Sequence, residues 1–347
     1  RLSNARQFLP MTFQNLSDKI DHNKEAIAKG EVNFLPLYYT FPRFIEFLPG
    51  IIKSDYILIS GGAKTGKTKF THFLCSQLLN LMELKPNLKV NIVYNSLEES
   101  EEKFKSSYLL QYMHSKGCYL SYYGLMGYSE TPLTDWEISI KDEAVRYYTE
   151  KVEPHLEVVT ELSSMKFFKH CEAKMLSTGK VINGEYVAND PNEWWIFVSD
   201  HIGCYVKEPG MTQGETLHQY SAILTRNKLC KFYNAVCIAV QQQINTKDAI
   251  EANVKPKTLI EKVKPSIDGL ADHKGTGRDA TIVLGIFNPH KWVEHIAGRV
   301  YKGIALDNVQ IRTLCFIATR EGAGLEDSEY PMYFNGATNQ FTEISKF

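Results

Sequence analysis

The sequence predicts an α/β fold in which a mainly parallel, twisted sheet is flanked by helices, and two observations predict it. The apolar run Tyr56–Ile59 leads into the glycine-rich stretch Gly61–Thr68, and apolar residues then recur at helical spacing from Phe70 to Leu81. After this unit, apolar runs of strand length alternate with helical stretches through most of the chain, which is typical of a parallel sheet covered by helices.

Seven apolar runs carry the strand signal and are separated by turn residues or helical stretches. In chain order they are Tyr56–Ile59, Val90–Tyr94, His155–Val159, Trp194–Val198, Ala235–Val240, Ala280–Phe287 and Ile311–Ala318. Asn-Gly pairs between strand-like residues predict two further hairpins. One is a surface hairpin over Lys180–Val187, and the other ends the chain with strands around Tyr333 and Phe341.

The stretch Gly61–Thr68 fits the phosphate-binding loop pattern of a glycine, four residues, and then Gly-Lys-Thr. Glycines let backbone N–H groups turn inward around the β- and γ-phosphates, and the start of the following helix adds positive potential. Lys67 would neutralise the phosphates and the Thr68 hydroxyl would bind Mg²⁺. An ordinary glycine turn is the alternative, but the lysine, the threonine and the preceding strand together favour a nucleotide site. Its predicted residues are Gly61, Gly62, Ala63, Lys64, Thr65, Gly66, Lys67 and Thr68.

Three polar residues follow buried strands, at the sheet edge where ligands bind in open α/β folds. Glu98 follows the second strand and could act as the general base that polarises the attacking water. Asp200 directly ends the fourth and could order Mg²⁺ beside the phosphate loop. Gln242 ends the fifth, and its amide could sense the γ-phosphate. The alternatives are an exposed acid at a helix start, a solvated strand-end acid and a polar strand end.

The composition excludes some classes of protein. Of 347 residues, 44% are hydrophobic and 23% are charged, as in a globular protein. With Lys+Arg 39 against Asp+Glu 40 the net charge is −1, so any nucleic-acid partner must be held by a local surface. The seven cysteines contain no Cys-x-x-Cys pair, which argues against zinc and favours a reducing compartment. Apolar runs are too short to span a membrane, and we expect no membrane partner.

Residues 1–49 lack the alternation of strands and helices that follows. Their apolar residues recur at roughly helical spacing and are Phe13, Leu16, Ile20 and Ile27. We therefore expect residues 1–49 to be an N-terminal helical linker or docking segment, and residues 50–347 to be one domain. The amphipathic helix could cover its own domain or a neighbouring subunit. The chain begins at Arg1 rather than at Met, which leaves a fragment or a processed product open.

The order of these motifs resembles the RecA-like P-loop ATPase core of ring-shaped replicative DNA helicases, the DnaB family with the phage primase-helicases and Twinkle. The resemblance runs from about Phe44 to the C-terminus and is weak between about Lys105 and Asn192. Besides the phosphate loop and the Gln242 strand end, the motifs that carry it are Leu48–Gly50, Ser96–Ser100, Ser199–Ile202, Thr319–Gly322 and Phe334–Gly336.

The resemblance implies a role for each candidate residue. Glu98 takes the position of the catalytic base, Asp200 that of the Mg²⁺-organising acid and Gln242 that of the phosphate sensor. Phe334 falls among the nucleotide-binding residues. The implied cofactors are ATP and Mg²⁺.

The resemblance also places Arg320 as an arginine finger that reaches the γ-phosphate bound by the next protomer. Because such a finger contributes about 10³-fold or more to the rate, a monomer should be a poor ATPase. The family commonly has a lysine two residues before the finger, where this sequence has Ala318. Lys302 and Arg312 are candidate replacements for that cation.

In the family two loops line a central channel, and they correspond here to residues 201–219 and 245–278. Lys207 is the only lysine or arginine of the first loop, whereas cations slightly outnumber acids in the second. We interpret Lys207, Lys247 and Lys274 as DNA contacts, which six copies around a ring would concentrate. Ordinary solvated loops are the alternative.

These features predict an ATP-dependent replicative DNA helicase motor that translocates on single-stranded DNA as a hexameric ring. The alternative is a RecA-type ATPase, a recombinase or an assembly or signalling ATPase, without unwinding activity. The implied partners are single-stranded DNA, further copies of the chain, and a primase, a helicase loader and a polymerase. We expect a cytoplasmic protein of a bacterial or phage-infected cell, with the mitochondrial matrix or nucleoid as alternatives.

Overall fold

The computed structural model describes seven parts of the chain, which are residues 13–29, 34–37, 40–44, 48–244, 256–307, 310–320 and 328–344. The strands are β1 Phe34–Pro36, β2 Gly50–Ile52, β3 Tyr56–Gly61, β4 Lys89–Ser96, β5 Leu156–Val159, β6 Gly179–Ile182, β7 Glu185–Ala188, β8 Glu193–Asp200, β9 Val236–Gln242, β10 Ile282–Phe287, β11 Val300–Tyr301, β12 Ile304–Ala305, β13 Ile311–Thr319, β14 Glu329–Asn335 and β15 Gln340–Glu343.

The α-helices are α1 Phe13–Ala28, α2 Lys67–Leu84, α3 Glu101–Ser115, α4 Tyr122–Leu125, α5 Asp135–Tyr147, α6 Ser164–Ser177, α7 Gln213–His218, α8 Pro256–Val263 and α9 Gly275–Asp279. Two π-helical segments, Tyr148–Val152 and Gln219–Cys230, continue α5 and α7. Within the described ranges, no helix combines the length and apolar character that crossing a membrane requires.

One nine-stranded sheet organises the molecule, in the order β15-β14-β13-β10-β3-β9-β8-β4-β5. The six strands from β10 to β5 run parallel, and β13, β14 and β15 extend the β10 side in antiparallel pairing. The predicted α/β fold with a mainly parallel sheet is confirmed, as are its seven strands and two further hairpins. The surface hairpin, β6 with β7, stands apart from the large sheet.

Layers of helix cover both faces of this sheet. Helices α2 and α3 lie over one face, where Phe70 and Phe104 join the larger apolar cluster. Helix α6 and the π-helical segment Gln219–Cys230 lie over the other, with Phe167 and Leu224 in the second cluster. All six residues of β3 are buried, because a central parallel strand is covered on both sides.

The segment ahead of β3 packs into the main domain. Strands β1 and β2 pair antiparallel, with Leu35 opposite Ile51. Phe41 and Phe44 are 2% and 1% exposed and lie in the same apolar cluster as Phe70. The proposed division of the chain after residue 49 stays a prediction, although residues on both sides of it share one core.

Helix α1 confirms the predicted amphipathic helix, and three of its apolar residues face solvent. Phe13 is 93% exposed, and Leu16 and Ile20 are 41% and 48% exposed. The side chain of Ile27 lies outside the described part of the structure. Docking of this helix on a neighbouring subunit stays a prediction.

Candidate nucleotide-binding site

The loop between β3 and α2 has the backbone that a phosphate cradle requires. Gly66, just before α2, has φ 101°, and Lys64 has φ 56°, both in the left-handed region. A Cβ on Gly61 would lie 2.6 Å from the Ile286 carbonyl oxygen and 2.7 Å from the Thr65 hydroxyl. Only glycine fits where this loop passes β10.

Lys67, the first residue of α2, is buried within the loop. Its Nζ donates to the Gly62 carbonyl at 3.1 Å. Burial lowers the pKa of the Lys67 ammonium, whereas the Asp200 and Glu98 carboxylates favour its charged form. The cation therefore shares one site with two of the three predicted strand-end side chains.

Asp200 and Thr68 form the part of the site that fits a cation. The Tyr94 hydroxyl donates to Asp200 Oδ2 at 2.7 Å, and the nearby Thr68 side chain acts to lower the pKa of this carboxyl. Oδ1 of Asp200 is buried and has no hydrogen-bond partner among the described residues. An unpaired carboxylate oxygen beside a threonine hydroxyl offers the ligands that Mg²⁺ prefers. Thr68 and Asp200 therefore fit the predicted Mg²⁺ site.

The ionisation of Asp200 predicts how Mg²⁺ binding depends on pH. Burial raises its pKa from the usual 3.8 to about 6, and the Glu98 carboxylate acts in the same direction. Since the cation needs the carboxylate form, its affinity should fall about tenfold for each pH unit below 6. The folding stability of the metal-free protein depends on pH in the opposite direction. The protonated Asp200 side chain stabilises the fold below about pH 4, and that contribution is lost as the pH rises through 6.

A Mg²⁺ titration of fluorescent ATP-analogue binding at pH 5 and pH 7.5 measures this effect. Asp200→Asn is the matched control, because the nucleotide titrates equally with both proteins. We expect the wild type to lose more Mg²⁺ affinity than the variant on acidification. An equal loss in both proteins would show that Asp200 does not bind the cation.

Glu98 lies at the same edge, two residues beyond β4. Ser96 and Asp200 pair in the β4–β8 register, which brings the ends of these strands together. The Glu98 side chain is 49% exposed, and its Oε1 lies 3.0 Å from Nε2 of His201. A half-exposed carboxylate beside the phosphate loop is accessible to a water molecule. The position fits the predicted base.

Glu98, His201 and Cys204 also place three potential metal ligands within 4.8 Å of one another. Hydrogen bonding argues against this interpretation. The Gly203 N–H donates to Nδ1 of His201 at 3.1 Å, so the proton of the neutral ring is on Nε2. A protonated Nε2 has no lone pair for a metal and instead faces the Glu98 carboxylate at 3.0 Å.

The side chain of Gln242, the last residue of β9, points away from those of its two neighbours. Gln241 and Gln243 point to one face, where Gln243 Nε2 donates to the Ser60 hydroxyl at 3.0 Å and to the Ser266 carbonyl at 2.8 Å. Because strand side chains alternate, Gln242 lies on the opposite face, which α2 covers. It pairs with Gly61 in the β3–β9 register and is partly exposed. This position beside the phosphate loop fits a phosphate sensor.

Two cations that sequence analysis did not place at this site contact the phosphate loop. Arg312 Nε donates to the Thr65 carbonyl at 2.8 Å, and Lys291 Nζ donates to the Ala63 carbonyl. The sequence offered one signal that could have identified Arg312, namely a charged residue at the start of an apolar strand. It offered no such signal for Lys291.

Phe334 lies beside the loop as well. The Arg312 guanidinium carbon lies 4.4 Å from the centre of its ring. A Cβ on Gly66 would lie 3.7 Å from the tip of the same ring. Phe334 is therefore next to the predicted nucleotide site, and its role there stays a prediction.

Arg320 lies at the opposite end of the sheet strands from the phosphate loop. Thr319 and Ile57 both pair with Ile282, so the end of β13 is level with the start of β3. The Arg320 N–H donates to the Thr281 carbonyl at 3.0 Å. Four strand residues, roughly 13 Å, separate Ile57 from the phosphate-loop end of β3. The Arg320 side chain donates to the Arg278 carbonyl instead of contacting the loop of its own chain.

The two proposed replacements for the missing lysine do not lie beside Arg320. Arg312 contacts the phosphate loop of its own chain, and Lys302 pairs with Glu329 at 3.5 Å. Arg226 is the cation whose charge lowers the pKa of Arg320, after the larger effect of burial. Nearness to Arg320 in the sequence did not predict nearness in the structure. The two ends of β13, which pairs antiparallel with β10, lie at opposite ends of the sheet strands.

Comparison with known proteins bears on the fold. No family model matches the chain, and no curated protein matches it. A solved structure described as an ATPase domain superposes with a TM-score of 0.68 at 12% identity, covering 97% of this chain and 100% of the other. A DnaB-like replicative helicase, solved with its interactions with primase, gives a TM-score of 0.65 at 12% identity, covering 96% of this chain and 70% of the other.

The fold of the chain is RecA-like. It is the fold of the DnaB-like helicase structure, and this part of the sequence prediction is confirmed. At 12% identity the likeness shows the fold alone, so the roles of individual residues depend on the contacts given above.

Two of the three predicted DNA-contacting lysines, Lys207 and Lys274, lie on neighbouring segments of this domain. Lys207 is exposed, and Lys274 is exposed with its Nζ 3.9 Å from Asp268. Lys247 lies outside the described residues. The two segments touch, because a Cβ on Gly203 would lie 2.7 Å from a carboxylate oxygen of Asp272.

Proposed function

We propose that the chain is the motor domain of an ATP-dependent DNA helicase that translocates on single-stranded DNA as a hexameric ring. The position of Arg320 carries this proposal. The phosphate loop and Arg320 occupy opposite edges of one sheet, so two copies in head-to-tail contact would bring the arginine of one to the nucleotide of the other. Repetition of that contact closes a ring if the rotation between copies permits.

In this proposal each residue of the nucleotide site has a separate role in ATP hydrolysis. Lys67 contacts the phosphates, and Glu98 orients the attacking water and accepts its proton. Thr68 and Asp200 hold Mg²⁺, which when bound neutralises phosphate charge. Gln242, on the strand between β3 and β8, senses whether the γ-phosphate is present.

Two strands connect the nucleotide to the DNA segments. β8 ends in Asp200 and continues into the segment with Lys207, whereas β9 ends in Gln242 and continues toward Lys274. A shift at either strand end therefore moves a segment that we propose to contact DNA. We also propose Lys247, which lies outside the described residues, as a DNA contact. The basic side chains would hold phosphates of the single strand.

The test is ATP hydrolysis with and without single-stranded DNA, followed by strand separation on a forked duplex. We expect DNA to raise hydrolysis several-fold, and Lys207→Ala with Lys274→Ala to reduce that stimulation by weakening DNA binding. Lys180→Ala, an exposed lysine on the separate hairpin, is the control and should retain full stimulation. An equal rate of ATP hydrolysis with and without single-stranded DNA would contradict the motor function.

The forked substrate also separates the proposal from its alternative. A RecA-type ATPase without unwinding activity would hydrolyse ATP and assemble, yet leave the fork intact. Filaments rather than closed rings in electron micrographs would favour that alternative. For a helicase, we propose that a primase, a loader and a polymerase are partners. The DnaB-like helicase of the same fold has been solved with its interactions with primase.

A further inference from the structure

His201 is the side chain that the structure places in contact with the Glu98 carboxylate. The two groups are 3.0 Å apart, and the Glu98 side chain is 49% exposed. A half-exposed glutamate has several rotamers of similar energy, and ordering it costs side-chain entropy. Its neighbour Glu99 pairs instead with Lys103 at 3.4 Å and gives Glu98 no support. The contact with His201 is therefore what selects one orientation of Glu98.

The imidazole of His201 is itself held in place. Its side chain is 12% exposed, and Nδ1 accepts the Gly203 N–H at 3.1 Å. That bond fixes the proton on Nε2, the atom that faces Glu98. The backbone is fixed too, because the Leu97 N–H donates to the Asp200 carbonyl at 2.7 Å. These contacts within the fold preorganise the imidazole.

We propose that His201 is the positioning residue of the catalytic base: its Nε2–H holds the Glu98 carboxylate where the attacking water must be oriented. The inference rests on the proposed function in one respect, namely the role of Glu98 as the base. His201 itself touches neither nucleotide nor water in this scheme. It acts through Glu98, so it affects the chemical step and leaves nucleotide binding to the phosphate loop.

His201→Ala should lower kcat about ten- to a hundredfold, because a misplacement of about 1 Å costs rates of that order. KM for ATP should stay within about twofold, since uniform binding is untouched. His201→Gln keeps an N–H donor at the position of Nε2 and should recover most of the rate. Steady-state phosphate release with saturating single-stranded DNA gives both constants.

A double-mutant cycle with Glu98→Gln separates positioning from a merely structural role. If His201 acts through Glu98, adding His201→Ala to Glu98→Gln should change single-turnover hydrolysis by less than about twofold. An equal loss in both backgrounds would overturn the proposal, as would a rise in activity or an effect on KM alone. Thermal melting and the affinity for a fluorescent ATP analogue show whether each variant folds.

The chain provides a matched control pair. His170 Nε2 lies 3.1 Å from Glu157 Oε1, at about the distance that separates His201 from Glu98, but on α6 and β5. His170→Ala should leave kcat unchanged. ATPase activity that DNA does not raise would overturn the helicase proposal and leave the His201–Glu98 coupling measurable. A wild type without any hydrolysis would remove the role of Glu98 and with it that of His201.

Discussion

Lys67→Ala is expected to abolish ATP hydrolysis, with a fall in rate of at least about 10³-fold. The ammonium is the cation placed by the loop itself, between the Gly62 carbonyl and the carboxylates of Asp200 and Glu98. Removal of one preorganised charge at a transferring phosphate costs about two to three orders of magnitude, and lost ground-state binding adds to this. Phosphate release at saturating Mg²⁺ and ATP measures the rate.

Two further measurements show that the loss is not misfolding. Because burial lowers the pKa of Lys67, its charge is held at a cost to the folded state, and Lys67→Ala should melt no earlier than the wild type. Lys85→Ala, just beyond the other end of α2, is the matched control and should retain full activity. Hydrolysis that survives in Lys67→Ala would mean that the loop does not hold the reacting phosphate.

Arg320→Ala is expected to lower kcat of the assembled protein by about 10³-fold, the contribution of an arginine finger. Affinity for the ATP analogue should change little, because Arg320 lies at the opposite edge of the sheet from the loop of its own chain. Hydrolysis as a function of protein concentration completes the test. The wild type should gain activity as it assembles, whereas the variant should not.

Mixing the two inactive variants tests whether the site is shared. In an assembly of equal parts Lys67→Ala and Arg320→Ala, roughly a quarter of head-to-tail contacts combine an intact loop with an intact arginine. We expect activity of that order to return on mixing. Arg299→Ala, which removes an exposed arginine paired with Asp307, is the control and should be active alone. A mixture as inactive as its components would place Arg320 outside the site.

Sequence alone determined the sheet strands and the phosphate loop. The apolar runs that became β3, β8 and β9 are covered on both faces, so burial leaves a signal that needs no partner strand to detect. Glu98, Asp200 and Gln242 could be proposed for the same reason, since each follows such a run where parallel strands present ligands. Gly61 and Gly66 were identifiable because backbone geometry there tolerates little else.

Tertiary structure decided everything that depends on how distant segments pair. Arg312 contacts the phosphate loop and Arg320 faces away from it, because β13 runs antiparallel to β10, a direction that no local pattern encodes. The hydrogen bond from Tyr94 to Asp200 and the contact between His201 and Glu98 exist because β4 and β8 lie side by side with their ends aligned. Local pattern fixed which residues end the strands, and long-range pairing fixed which of them meet.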